Sequence, residues 1–266
     1  MNATDGDARR KPLRELARDL PGPVRAFAKA IRRVHGMGAM AAGRIRSSRP
    51  LSDNWGYERG TPIDRYYIEA FLASHASDVK GRVLEIQEDE YSRRFGGTNV
   101  SSQDVLNVDS SNPLATIVGD LADRSTLPAG RFDCVILTQT LHLVFDMAAA
   151  IANVRRSLRP GGVVLITVPG ISPLGPRGDY DWYWSLTGDS LRRLLDASFD
   201  REKVQVATFG NLFAATAFLH APAGQEVPRR KLVCGDPDYP VAVAAGAVAW
   251  EPMANPGPVT AGGSPR

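Results

Sequence analysis

The chain of 266 residues has two cysteines, Cys134 and Cys234, and their separation fits no disulfide framework, zinc-ligand pair or C-x-x-C redox motif. A reducing cytoplasm and a protein without a structural metal are expected. No apolar run approaches the roughly 20 residues that a bilayer-crossing helix needs. The opening "MNATDGDARRKPLRELARDL" also lacks the continuous hydrophobic core of a secretion signal. Histidine is scarce as well: of four, His35, His75 and His220 stand at segment ends without evident partners.

Charge is unevenly placed. Residues 1–50 hold 12 Lys/Arg against 4 Asp/Glu, whereas residues 51–266 hold 20 against 25, so the net +3 hides a basic arm on a mildly acidic body. Within the arm, Val24, Phe27, Ile31 and Val34 recur at helical spacing with Arg25, Lys29, Arg32 and Arg33 on the other side. That pattern suits either a solvated arm or weak peripheral contact of residues 24–34 with an anionic membrane or partner. Phe27 is the one aromatic residue among these charges, and it gives no aromatic interleaving that would support nucleic-acid binding. The expected organisation is a basic extension over 1–50, partly helical or disordered, one domain over 51–251, and a Pro/Gly/Ser-rich disordered tail over 252–266.

Between the tails, strand and helix signals alternate. Short β-rich apolar runs occur at 82–86, 104–109, 115–120, 132–140 and 162–170, the form taken by parallel strands buried on both faces. Two later runs, 202–210 and 239–250, complete the sheet. "TPIDRYYIEAFLASH" predicts a helix with Thr61 as N-cap, Pro62 at the first helical position and Ile63, Tyr67 and Phe71 buried. Met147, Ile151, Val154 and Leu158 mark a second helix stopped by "RPGG" at 159–162. A third starts near Thr187 or Asp189 and presents Leu191, Leu194, Leu195 and Phe199. Repeated βα units imply a doubly wound α/β sheet whose ligands bind beyond the carboxyl ends of the central strands.

That rule selects Glu85, Asp109, Asp120 and the stretch from Thr138 to Thr140, which end the first four runs. A carboxylate closing the second strand can accept both hydroxyl hydrogens of a ribose, the task of an acidic residue about 20 positions past the glycine loop in dinucleotide folds. Asp109 stands 24 positions after Glu85. Asp120 can meet an adenine amino group, with the amide of Leu121 available to a ring nitrogen. Asp and Asn also end strands by favouring turns, so both aspartates keep a purely local reading.

With these residues in place, the sequence resembles the class I S-adenosylmethionine-dependent methyltransferases, particularly the type 11 domains found near glycosyltransferases and polysaccharide genes. The likeness covers about residues 61–250 and is most specific in "VGDLADRSTLPAGRFDCVILTQTLHLVFDMAAAIANVRRSLRPGGVVLITVPG". It implies a Rossmann-like, mostly parallel seven-stranded sheet with an antiparallel final hairpin. It also implies S-adenosylmethionine as cofactor, with Asp109 holding the ribose, Asp120 and Leu121 bordering adenine, Thr138 and Gln139 beneath the methionine portion, and Glu85, Gln87 and Ser110 as further cofactor-binding residues.

The chain departs from the family pattern directly after the first strand. Related domains carry a G-x-G-x-G turn there, whereas this chain reads "IQEDEYSRRFGG", with Gln87 and Asp89 where glycines are expected. Side chains at those positions narrow a cofactor cleft, and Glu88, Asp89 and Glu90 add negative charge that the cofactor's carboxylate must have offset by a donor such as Arg65, Arg93 or Arg94. In one reading a short helix over Asp89–Phe95, capped by Gly96 and Gly97, has rebuilt the site and methyl transfer survives. In the other the fold persists as a non-catalytic partner of a glycosyltransferase or polysaccharide-assembly protein.

Methyl transfer requires alignment of an acceptor and, for a poorly acidic hydroxyl, removal of a proton, with no metal. His142 in "QTLHLVFD" is the candidate base; its other reading is a packed residue at a loop junction. Tyr180, Asp181, Trp182 and Trp184 lie where related domains place acceptor-facing residues. Stacked aromatics beside a carboxylate suit a saccharide or other small hydroxylated acceptor. Ser185 occupies a position that is often arginine in similar domains.

Overall fold

The computed structural model describes residues 48–175 and 181–250. The amphipathic stretch 24–34 with the contact expected of it, nearly all of the basic extension, the tail 252–266 and Tyr180 lie outside the described residues. The described residues from Pro50 onward belong to one compact unit.

Each apolar run becomes a strand: β1 Gly81–Ile86, β2 Val100–Asn107, β3 Ile117–Val118, β4 Phe132–Thr138, β5 Leu158–Pro169, β6 Val204–Phe209 and β7 Ala242–Val248. They form one seven-stranded sheet in the order β3-β2-β1-β4-β5-β7-β6, with β7 antiparallel to both β5 and β6 and the other pairings parallel. The doubly wound sheet and its antiparallel closing hairpin are thus as expected. Val83, Leu84, Val135, Ile136, Leu165 and Ile166 of the three central strands are fully buried, because helices cover both faces.

One face is covered by α1 (Ile63–Ser74), whose Ile68, Phe71 and Leu72 pack on Val83, Ile136 and Leu165. The other carries α2 (Met147–Ser157) and α3 (Gly188–Asp196), which deliver Ile151, Val154, Leu191 and Leu195 to the larger core. The α3 start is fixed by a reciprocal cap in which the Thr187 side chain accepts from the Ser190 amide. A fourth helix, α4 (Leu212–Leu219), packs near α1. Its sequence "LFAATAFL" is apolar on all sides and so carried no period to read.

Several boundaries differ from expectation for local reasons. Pro62, with ψ 154°, is the N-cap of α1 and gives no side-chain bond. The Thr61 hydroxyl accepts from Gln225 Nε2 at 2.9 Å and is thereby occupied. The "RPGG" segment does more than end α2, since β5 already starts at Leu158 and runs through it. β2 ends at Asn107, which leaves Asp109 in the turn beyond the strand.

The stretch that replaces the glycine-rich turn is helical, close to the first of the two readings. Glu90 and Tyr91 start a turn that widens to π-type over Ser92–Gly96, and a 3-10 turn, Gly97–Asn99, leads into β2. Glu85 organises it from the end of β1. Its Oε1 accepts from the Tyr91 amide at 3.1 Å, and its Oε2 accepts from the Ser92 amide at 2.8 Å and the Ser92 hydroxyl at 2.6 Å. Gly97 turns the chain with φ +52°, while Gly96 is needed for space: a Cβ there would stand 2.6 Å from the Val79 carbonyl oxygen. Gly96→Ala is therefore expected to destabilise the fold by about 1–3 kcal/mol, the usual range for overpacking, read as a lower urea midpoint with an unchanged slope.

Candidate functional site

Beyond the carboxyl ends of β1 to β4 lies a cleft of about 580 Å³. Its walls are Ile86 and Gln87 after β1, Leu106, Asn107 and Val108 at the end of β2, Gly119 to Ala122 after β3, and Thr140 with Leu143 to Asp146 after β4. Asp181 and Tyr183, from the loop after β5, close one side. A second cavity of about 470 Å³ shares Gln87, Leu143 and Asp181 with the first. It extends to Trp55, Tyr57, Asp64 and Arg65 on one side and to Gln139, His142, Ser172 and Trp182 on the other.

Gln87 sits at this junction with φ 67°, and Gln139, after β4, has φ 49°. Both backbones take the left-handed conformation in which glycine is at ease, at a cost of about 1–2 kcal/mol per side chain. Gln87 thus has a glycine-like bend at the position where the family pattern carries a glycine. Tyr91 lines neither cavity: it is buried beside Phe95, with its hydroxyl accepting from Arg65 Nη1 at 2.8 Å. The acidic run does not fill the cleft either, since Asp89 pairs with Arg93 and neither Glu88 nor Glu90 lines a wall. Arg94 pairs with Glu69 at 2.7 Å, which leaves Arg65 as the one arginine of the three donors considered that borders a cavity.

The cofactor-side residues divide. Asp120, Leu121 and Gln87 line the first cleft and Gln139 the second. Asp120 Oδ1 accepts from the Ala122 amide at 2.8 Å, and the Leu121 carbonyl accepts from Asn153 Nδ2 at 3.0 Å, so the bend after β3 is tied down. Glu85 is buried and belongs to the loop's anchoring, as described above; burial raises its pKa while the bonds from Ser92 and Tyr91 oppose the rise. Asp109 and Ser110 are exposed and line neither cavity. Asp109 Oδ1 accepts from the Ser111 amide at 2.9 Å and from the Ser111 hydroxyl at 2.5 Å, bonds that lower its pKa. Its carboxylate serves a turn because β2 stops two residues earlier. Asn107 and Val108 occupy the wall where Asp109 was expected, and a strand run extended by eye to the aspartate concealed them. Thr138 is within β4, its carbonyl accepting from the Thr140 hydroxyl, and it lines neither cavity.

On the acceptor side, His142 is 3 % exposed, and burial lowers its pKa to about 4. Its ring lies 4.2 Å from that of Trp182, and its Nδ1 has no hydrogen-bond partner. Gln139 Nε2 and Trp182 Nε1 are also buried, and among the described residues these three polar atoms of cavity-lining side chains have no hydrogen-bond partner. Asp181 accepts from the Tyr183 hydroxyl at 2.9 Å. Trp184 does not line a cavity; its Nε1 donates to the Val144 carbonyl at 3.2 Å and its ring packs against Phe145. Trp55, Tyr57 and Asp64 were missed in the sequence, although "NWGYERG" concentrates aromatics and glycines just before α1.

Residues 72–166, from the end of α1 into β5, match the methyltransferase domain family. The match spans 95 of the 266 residues, and the seven-stranded sheet with its antiparallel closing hairpin is the fold expected from that likeness. Among solved structures the chain is similar to a SAM-dependent methyltransferase from Archaeoglobus fulgidus, at 12% identity over 69% of this chain and 94% of that one, TM-score 0.47. It is similar to one from Mesorhizobium loti, at 18% identity over 70% and 99%, TM-score 0.44. It is also similar to phosphoethanolamine N-methyltransferase 2 of Haemonchus contortus in complex with phosphomonomethylethanolamine and S-adenosylhomocysteine, at 13% identity over 70% and 53%, TM-score 0.47. No curated protein matches the sequence.

The His142 environment has a measurable consequence. With a folded pKa of about 4 against an ordinary 6.5, the unfolded chain binds the proton more readily between those values, so stability rises with pH across that window. The contribution is present above about pH 6.5 and lost on acidification toward 4, on the order of 3 kcal/mol. His142→Asn is expected to flatten this part of the acid arm in denaturation measured at several pH values.

Proposed function

We propose that the chain methylates a hydroxyl oxygen of a small acceptor, a saccharide being the best chemical fit, using S-adenosylmethionine as donor. The carrying observation is that two cavities, one at the ends of β1 to β3 and one under the loop after β5, meet at Gln87. Donor and acceptor can so be brought end to end, which in-line transfer demands.

The residues present fit the cofactor. The larger cleft, at about 580 Å³, has the volume of an ordinary ligand site. Asp120 and the Leu121 amide would border adenine, while Asn107 and Val108 would border the ribose from the end of β2. Asp109 lies one residue further on and would need its turn to shift before its carboxylate could take the ribose hydroxyls. Gln87 and Gln139 would flank the methionine portion, where the unpartnered Gln139 Nε2 supplies a donor. When bound, the cofactor supplies a methyl group activated by positive sulfur.

His142 and Trp182 would meet the acceptor, His142 with a neutral imidazole at physiological pH. A group with a pKa of about 4 is a weak general base, so its task is better described as accepting a hydrogen bond and orienting the acceptor hydroxyl, with the proton leaving late. Asp181, shared by both cavities, would accept from sugar hydroxyls, and the Trp182 ring would offer the apolar face that a sugar ring stacks on. The non-catalytic alternative would be favoured by a charged loop that fills the cleft; Tyr91 and Asp89 are turned elsewhere, which weighs against it, whereas Gln87 lines both cavities and Asp109 does not face the cleft, which weighs for it.

Calorimetric titration with S-adenosylhomocysteine tests the reading. A dissociation constant in the micromolar range, about −8 kcal/mol, is expected, weakened about threefold to tenfold in Asp120→Ala by loss of a hydrogen bond near 1 kcal/mol. No detectable heat from folded wild type sinks it.

A further inference from the structure

Arg65 lies on α1, outside every stretch that carries the methyltransferase likeness most specifically, and its side chain borders the 470 Å³ cavity. Nε donates to the Tyr57 hydroxyl at 2.9 Å and Nη1 to the Tyr91 hydroxyl at 2.8 Å. Arg59, Arg82, Arg94 and Arg159 are each paired with a carboxylate at 2.9 Å or less. Arg65 is held instead by two neutral phenols, and among the described residues no carboxylate forms an ion pair with it.

This arrangement leaves donors in surplus. A phenol that accepts from arginine keeps its own O–H to give, and the guanidinium retains N–H groups beyond the two in use. Two fixed bonds set the plane of the fork, so little rotamer entropy remains to be lost when a partner arrives. A guanidinium drawn partly out of water is costly; the neighbouring Asp64 carboxylate offsets this through space without pairing to it, and a bound anion would relieve more of that cost. Shape and sign indicate which anion. The planar fork matches a planar carboxylate, whereas Asp64 and Asp181 on the same walls disfavour the double charge of a phosphate.

We propose that Arg65, oriented by Tyr57 and Tyr91, is a carboxylate-recognition site, and that the carboxylate belongs to a molecule held in this cavity. The proposal deepens the methyl-transfer reading and rests on it only for the source of the carboxylate, which is either the amino-acid end of the cofactor or an acidic acceptor such as a uronic acid. In either case the helical turn that replaced the glycine-rich loop has a positive task, since it delivers the Tyr91 hydroxyl to Arg65.

Trp55 and Trp182 line the cavity and report on it directly. Tryptophan fluorescence would be followed during titration with acetate and with glucuronate at constant ionic strength, with glucose and inorganic phosphate as comparisons. A saturable response to the carboxylates alone is expected. Arg65→Met should weaken it by about tenfold or more, the scale of a hydrogen bond to a charged group. Arg65→Lys, a point charge without the fork, should not restore it. In parallel, S-adenosylhomocysteine and 5′-methylthioadenosine, which lacks the amino-acid carboxylate, would be titrated into the same proteins. If the cofactor is the source, Arg65→Met weakens the first ligand and leaves the second unchanged. If the acceptor is the source, both bind as in wild type and only the glucuronate response is lost. The proposal is overturned when an Arg65→Met protein that melts like wild type changes neither the carboxylate response nor the ratio of the two nucleosides. Should Arg65→Met fail to fold, the double variant Tyr57→Phe/Tyr91→Phe, which removes only two hydroxyls, decides by the same criterion. Because acetate and glucuronate need no cofactor, a wild type that binds them but not S-adenosylhomocysteine would keep this site and dismiss methyl transfer.

Discussion

A single buried carboxylate organises the part of the molecule that departs from the glycine-rich pattern of the domains it resembles. Glu85, near the end of β1 beside the cleft, accepts from two successive amides and one hydroxyl at Tyr91 and Ser92. Without those bonds the amides would be buried and unpaired, at a cost of about 1–3 kcal/mol each. With them, the chain after β1 coils directly above the sheet. The Tyr91 ring goes into the core and its hydroxyl to Arg65, and the acidic residues of the segment stay off the cleft walls. The openness of the larger cleft, the posture of Arg65 and the start of β2 all depend on where that carboxylate fixes the turn.

The bend retained at Gln87 shows what the missing glycines had contributed. A glycine-rich turn combines two properties, a left-handed backbone and the absence of a side chain. Here they have separated: the backbone at Gln87 is still left-handed, and the side chain has been accommodated at the junction of two cavities. Gln139 repeats the pattern at the end of β4. Strain at both positions costs stability that a glycine would not, and strain of this kind collects where backbone conformation matters to a ligand.

The sheet could be read from the sequence because its strands are buried on both faces and appear as apolar runs, and because α2 and α3 carry clear helical periods. The site was less legible. Asp120, Leu121, Gln87, Gln139, His142, Asp181 and Trp182 all border a cavity. Asp109 and Ser110 do not, since "NVDSSN" gives no sign of whether the strand or the turn claims the aspartate; a Ser two positions later favoured the turn. Glu85 looked like a ligand residue because it ends a strand, and nothing local reveals that its partners lie six and seven positions onward. Trp55, Tyr57 and Asp64 reach the cavity only through the way α1 packs on the sheet, which no short window of sequence encodes.

The segment after β5 is tied to the segment after β4 by the backbone as well as by ring contact. The His142 carbonyl accepts from the amides of Tyr183 and Trp184 at 3.1 and 3.2 Å, and the His142 ring lies against Trp182. Evolution could not easily alter one without the other. On the proposed function, a protein of this fold with a different acceptor should vary in both segments together, and a chimera that exchanges only the later loop without a tryptophan at position 182 would lose the histidine–tryptophan contact. On the proposed function, the exchangeable module for acceptor choice would span both segments, although some forty residues separate them along the chain.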